Sequence, residues 1–324
     1  MIETRRALAW PARAFLLLAL LGLGACAVNP KLALPAGEPL RLEGVPFHPQ
    51  TEYQCGPAAL AGILGASGVS ITPEQLAPQV YLPKRQGSLQ LELLGATRRA
   101  GRIPYVIDRE PDALLAELDA QRPVLVLQNV LTPSVPRWHY AVVMGSDPAR
   151  NRLLLNTGVH AAKPTGARGF LRTWDWANRW GIVALRPGEL PARADPLRYA
   201  EAVAAFEPVG GAAAARQAWE AARSRWPEDH RAYLALGNLD HAAGDREAAL
   251  ASFARGLAAA PREPVLSNNY ASVLAETGCP AKARRVLDEA LEVLAPQSPW
   301  REALLASRAA LPAVGADPSR CDAR

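Results

Sequence analysis

Two rhythms of apolar and polar residues run along this chain, and they divide it. Over residues 45–187 helical and strand patterns are mixed. Gly56-Pro57 opens the apolar stretch 58–64, which ends near Gly65 and Gly68. Proline in the first turn and glycine past the end form the asymmetry expected of a helix. Thr72-Pro73-Glu74-Gln75 has the Thr-x-x-Gln spacing of a capping box. Residues 88–99, ended by Gly101, predict another helix, as do 110–120, where Leu114, Leu115 and Leu118 share a face. Beyond Pro123 the runs shorten and become rich in valine. Residues 124–127 and 140–144 predict strands, and 152–155 and 181–185 predict two more. Helices first and strands afterwards predict an α+β domain and not a doubly wound sheet.

After Asp195 the composition turns to Ala, Leu, Arg and Glu with helical periodicity. Pro227, Pro261 and Pro296 mark a period of about 34 residues. Units set at 196–229, 230–263 and 264–297 bring Ala215, Ala249 and Ala283 into register, and likewise Ala222, Gly256 and Ala290. Small residues recur where adjacent helices must approach closely. A segment 300–311 predicts a closing helix over the last apolar face. The middle unit resembles a tetratricopeptide repeat through Tyr233, Leu236-Gly237, Ala249, Phe253 and Pro261. The third follows through Asn268-Asn269-Tyr270-Ala271 and Gly278; the first has Ala202-Val203 where the Leu-Gly pair would stand. The resemblance implies an all-α solenoid with a concave surface for a protein partner or the substrate.

The amino end has a different character. Arg5, Arg6 and Arg13 lead into the apolar run 14–23 and then Leu23-Gly24-Ala25-Cys26. These are the features of a secretory signal, and the run is too short to span a bilayer. The last four residues resemble a bacterial lipoprotein lipobox. That implies cleavage before Cys26, lipidation of its thiol and attachment to a membrane by acyl chains. Ala27, in place of Asp, then implies the outer membrane, facing the periplasm. The expected organisation is a signal at 1–25, a tether at 26–44, an α+β domain at 45–190, the repeats with their closing helix at 196–311, and a tail at 312–324. In an oxidising compartment two of the remaining cysteines are expected to pair. Cys279 and Cys321 share the C-terminal half, which leaves Cys55 as the free thiol.

Charge narrows the function classes. The 36 basic and 31 acidic residues are interspersed, with a formal net charge of +5, and no block of like charge marks a nucleic-acid partner. Five His and four Cys never fall into metal-ligand spacing. No phosphate-cradling or dinucleotide motif is present, so no cofactor is expected.

What remains is thiol chemistry. Cys55 sits at a predicted helix start, where unpaired N–H groups and the helix dipole favour a thiolate. A thiol nucleophile also needs a base, usually an imidazole held by a third group. His48 precedes a proline, His160 follows a predicted turn with no strand to hold it, and His230 and His241 lie in the repeats. His139 begins the strongest strand. Gln50-x-x-x-x-Cys55-Gly56-Pro57-Ala58, followed by His139-Tyr140-Ala141-Val142-Val143-x-Gly145, resembles the papain-like cysteine peptidases that process bacteriocin leaders at double-glycine sites. The resemblance covers about residues 45–186. It implies a papain-like fold, Cys55 as nucleophile, His139 as general base and Gln50 as an oxyanion donor, as acyl transfer requires. The family's third group is usually an Asp on the strand after the histidine. Here Leu155-Asn156-Thr157-Gly158 stands there, and Asn156 is the candidate, as in Cys-His-Asn sites. Asp147 begins a turn and is expected to be structural. Trp138, Trp174, Trp176 and Trp180 are expected to pack a core or brace a cleft. The resembled enzymes are fused to an ABC transporter, of which this chain shows no segment, so the double-glycine substrate is not carried over. Two other readings use the same residues: a non-catalytic peptide-binding adaptor, and a thiol-dependent amidase or transglutaminase.

Overall fold

The structure, a computed structural model, describes residues 34–50, 54–312 and Cys321. The expected signal, the lipidation site Cys26, the start of the tether and nearly all of the tail lie outside the described residues. No helix among the described residues is long and apolar enough to cross a membrane.

The chain is mixed α/β, a sheet with helices followed by a C-terminal helical region. Helix α1 (Cys55–Ala66) is buried from Gly56 to Leu64, as its unbroken apolar sequence requires. Helix α2 (Pro73–Val80) starts at the capping box with both arms made: Gln75 N–H donates to Thr72 Oγ1 and Thr72 N–H to Gln75 Oε1. A short hairpin of β2 (Tyr81–Leu82) and β3 (Gly87–Ser88) precedes α3 (Gln90–Arg99), so Ser88 is strand and not helix start. Then come β4 (Ile103–Val106), α4 (Pro111–Asp119), β5 (Val124–Asn129), β6 (Trp138–Asp147), β7 (Arg152–Thr157), β8 (His160–Gly166), α5 (Ala167–Asp175) and β9 (Gly181–Leu185). The sheet order is β4-β9-β5-β6-β7-β8, with β1 (Leu40–Arg41) added to the far end of β6 and every pair antiparallel.

Besides the two-residue strands β1, β2 and β3, three elements escape the sequence pattern. Strand β4 is four residues long and contains Pro104. Strand β8 is an edge strand whose residues are largely exposed, so it lacks apolar alternation and is held mainly by pairing with β7. His160, for which no strand was expected, begins it. Helix α5 buries Phe170, Leu171 and Trp174 at helical spacing.

The two sheet faces carry separate cores. Tyr140 and Val142 of β6 face α1, packing with Leu60, Leu64, Leu125 and Ile182. Ala141 and Val143 face the other way, into a cluster with Leu118, Leu155, Phe170 and Trp174. That second cluster does not stop at the expected boundary near Asp195. Tyr199, Val203 and Phe206 of α6 (Pro196–Gly210) join it, so the first helix of the C-terminal region completes the α/β core.

The helical region continues through α7 (Ala212–Arg225), α8 (His230–Ala242), α9 (Arg246–Ala259), α10 (Pro264–Glu276), α11 (Pro280–Val293) and α12 (Arg301–Ala310). Ala215, Ala249 and Ala283 are buried, as are Ala222, Gly256 and Ala290. A Cβ on Gly237 would lie 2.4 Å from the Phe253 ring, so the α8–α9 pair approaches closer than alanine permits. Cys279 and Cys321 are joined, their sulfurs 2.04 Å apart, which ties the tail to the apolar cluster of α10 and α11. Cys55 is free.

Candidate active site

Small residues let three segments meet at the start of α1. A Cβ on Gly56 would lie 2.3 Å from Ser88 Oγ, so glycine beside the candidate nucleophile allows β3 to close against the helix. The Tyr140 hydroxyl donates to the Ser88 carbonyl at 3.2 Å, and its ring meets Trp180 edge-on with centroids 6.1 Å apart. On another side of α1, Cβ atoms on Gly62 and Gly65 would lie 3.2 and 2.6 Å from Pro46. The segment leading to Gln50 therefore lies directly on the helix.

Gln50 ends that segment in a gap of the sheet. The β6–β7 ladder stops at Val142↔Asn156, which leaves the first residues of β6 open on that side. The Gln50 side-chain amide fills the missing rung: Oε1 accepts from Gly158 N–H at 3.0 Å, and Nε2 donates to the Tyr140 carbonyl at 3.4 Å. Gln50 N–H also donates to the Gly158 carbonyl at 3.0 Å. Nε2 carries a second hydrogen, for which the described residues supply no acceptor.

Cys55 and His139 both lie beside Tyr140, one on each face of β6. The backbone N–H groups of Tyr140, Gly56 and Cys55 lie close enough to the Cys55 sulfur to favour its thiolate. His139 is the residue before Tyr140, and its Nε2 lies 2.7 Å from Thr157 Oγ1. Among the described residues no hydrogen bond joins the sulfur to the imidazole: Cys55 lies on the α1 face of β6, and the His139 ring is on the face it shares with Ala141 and Val143.

Asn156 does not take the expected place beside His139. Its Oδ1 accepts from Ala162 N–H at 2.9 Å and its Nδ2 donates to the Pro46 carbonyl at 3.5 Å. The reason is strand alternation: neighbouring side chains point to opposite faces. His139 shares its face with Ala141 and Val143, and Thr157 shares that face with Leu155 and Leu153. Asn156 lies on the α1 side, where it anchors the segment that carries Gln50. Thr157 is thus the residue that the sequence reading missed, and the face shared by Leu153, Leu155 and Thr157 was the signal. Asp147 is structural, its carboxylate accepting from Arg150 N–H.

The electrostatics differ from the expectation for a helix N-terminus. Burial pushes the Cys55 thiol up, and this outweighs the N–H donors of Tyr140, Gly56 and Cys55 that pull it down. Burial pushes the His139 imidazole down, and the charge of Arg137 adds to that. Thr157 offers a hydroxyl and no charge. The resting pair is therefore a neutral thiol and a neutral imidazole. Among the described residues no group of three or more His, Cys, Asp or Glu stands where it would hold a metal ion.

No protein-family model matches this chain, and no curated protein matches it. Among solved structures it is similar to a Bacillus anthracis protein described as a candidate C39-like peptidase, at 15% identity and a TM-score of 0.40, covering 49% of this chain and 100% of that one. It is also similar to the Yersinia enterocolitica type III secretion translocator chaperone SycD, at 22% identity, TM-score 0.33, covering 36% of this chain and 90% of that one. A second structure of that chaperone gives 22% identity, TM-score 0.32, and coverage of 36% and 87%.

Proposed function

We propose that this protein is a cysteine peptidase with a papain-like catalytic domain followed by a tetratricopeptide array. One observation carries the reading: Cys55 begins α1 against β6, the strand that carries Tyr140 and, one residue earlier, a histidine whose Nε2 lies 2.7 Å from Thr157 Oγ1. Nδ1 of His139 is the nitrogen left to work. As Cys55 attacks a peptide carbonyl and a C–S bond forms, the thiol proton passes by way of water to Nδ1 of His139, which lies on the opposite face of β6. The oxyanion is met by the unused Nε2 hydrogen of Gln50 and the helix-start N–H. His139 returns the proton to the departing amine as the C–N bond breaks. Water then opens the thioester, giving its proton to His139, and the thiol is restored. Thr157 fixes the imidazole orientation without charging it.

The same reading places the chain in the cell envelope. A lipid on Cys26 would hold it at the outer membrane, facing the periplasm, and the repeats would receive a protein partner or substrate. The lipobox-like sequence supports the anchor, and the joined Cys279 and Cys321 agree with an oxidising compartment. A second reading is favoured by the neutral Cys55–His139 pair: a peptidase-like adaptor that binds peptides without cleaving them.

The deciding experiment incubates the purified chain with casein, an unstructured protein, and follows fragments by mass spectrometry alongside labelling by iodoacetamide. Fragments that vanish in Cys55→Ala and fall at least a hundredfold in His139→Ala are the expected result, at the scale of general-base catalysis. Absence of such fragments, with labelling indifferent to His139, leaves the adaptor.

A further inference from the structure

The loop before His139 is built to keep apolar side chains in water. Asn129, 1% exposed at the end of β5, organises it: Oδ1 accepts from Leu131 N–H and Arg137 N–H, and Nδ2 donates to the Thr132 carbonyl. Thr132 Oγ1 accepts from Val135 N–H, and Val130 N–H closes the loop on the Arg137 carbonyl. A buried amide satisfied by three backbone groups holds a loop in one shape. Yet that shape leaves Leu131 52%, Val135 60% and Trp138 54% exposed. Stray exposed apolar residues are ordinary; several together on an ordered loop mark a binding surface.

Position says what is bound. Trp138 lies two residues before Tyr140, hence on the same face of β6. That is the face turned to α1, and Cys55 at the start of α1 packs into the same cluster as Tyr140. Two more exposed apolar side chains border the site, Leu89 next to Ser88 and Val159 next to Gly158. We propose that Trp138, Leu131 and Val135 form a subsite for large apolar side chains of an extended peptide substrate, beside the bond that Cys55 attacks. This deepens the peptidase reading and rests on it. Specificity would come from apolar area removed from water and not from charge.

The test separates binding from cleavage. Full-length Cys55→Ala protein is titrated against two fluorescein-labelled decapeptides of Gly and Ser, one with a central Leu-Phe pair and one without, read by anisotropy. The Leu-Phe peptide should bind at least tenfold more tightly. Trp138→Ala, and Leu131→Ser with Val135→Ser, should erase the difference, Trp138→Phe should keep most of it, and the melting temperature should hold. Equal affinity for the two peptides, or a preference that survives the substitutions, overturns the proposal. Binding to phosphatidylethanolamine/phosphatidylglycerol vesicles that these same substitutions abolish, with no peptide preference, would overturn it in favour of a membrane contact. Casein cleavage without apolar preference would sink the subsite while sparing the peptidase; apolar preference without cleavage would spare the surface and sink the enzyme.

Discussion

At the scale of single residues the site turns on which side chain meets His139. Thr157→Val removes the hydroxyl at Nε2 and keeps the volume, so the imidazole should lose an orienting bond worth about 1 kcal/mol and peptide cleavage should slow roughly fivefold. Thr157→Asp should do the reverse to the charge, because a carboxylate against the ring raises an imidazole pKa. Labelling of Cys55 by iodoacetamide near neutral pH should then be faster than in the unaltered chain. Asn156→Ala makes the contrasting case. It strips partners from Ala162 N–H and the Pro46 carbonyl, which should cost about 1–3 kcal/mol of stability in urea unfolding without changing how the reaction responds to pH.

The pH response follows from burial. Cys55 is held above the ordinary thiol value, so its thiolate forms only as pH rises beyond the range where a free cysteine ionises. His139 is held below the ordinary imidazole value, so it stays neutral and able to accept a proton further into acid than a free histidine. Iodoacetamide labelling across pH should accordingly show a limb displaced to the alkaline side of free cysteine. A flat, rapid profile down to mildly acidic pH would mean a preformed thiolate and contradict this electrostatic account.

At the scale of elements the packing of α1 decides whether Cys55 and Gln50 are presented together. Gly56→Ala would drive a Cβ into Ser88, 2.3 Å from Oγ and 2.6 Å from its Cβ. Overpacking of this kind costs about 1–3 kcal/mol. Because Ser88 is tied to Tyr140, which packs with Cys55, the strain should also disturb the surroundings of the thiol. A lower melting temperature together with slower Cys55 labelling is the expected pair of results. In the helical region, Gly237→Ala would meet the Phe253 ring at 2.4 Å, and only the melting temperature should respond.

At the scale of the whole molecule the α/β part and the helical region share one core. Tyr199 is buried in it, its hydroxyl donating to the Glu189 carbonyl, while Arg198 pairs with Asp108 and lies over the Tyr105 ring. A chain ending at residue 190 would leave the surface that Tyr199, Val203 and Phe206 cover open to water. Such a chain should unfold at lower urea than the α/β part does within the full protein, and tryptophan fluorescence can follow the difference. The helical region is in this sense a continuation of the α/β body.

Much of this was legible in the order of residues. Local signals act through neighbours along the chain, so the capping box at Thr72, the apolar helix after Gly56, the valine-rich strands and the small residues recurring about every 34 positions could be read without a fold. Cys55, His139 and Gln50 could be singled out as candidates for the same reason, from motifs of fixed spacing. Tertiary structure alone decided the rest. The short β4 takes its place by pairing with distant β9, and β8 by pairing as an exposed edge with β7, so neither shows the strand rhythm in sequence. Asn156 and Thr157 are adjacent in sequence but separated by the alternation of β7, and the face that meets His139 is set by where the sheet places its cores. Whether the helix start would ionise Cys55 was equally a three-dimensional matter, since the burial that outweighs its N–H donors comes from packing of residues far apart in the chain.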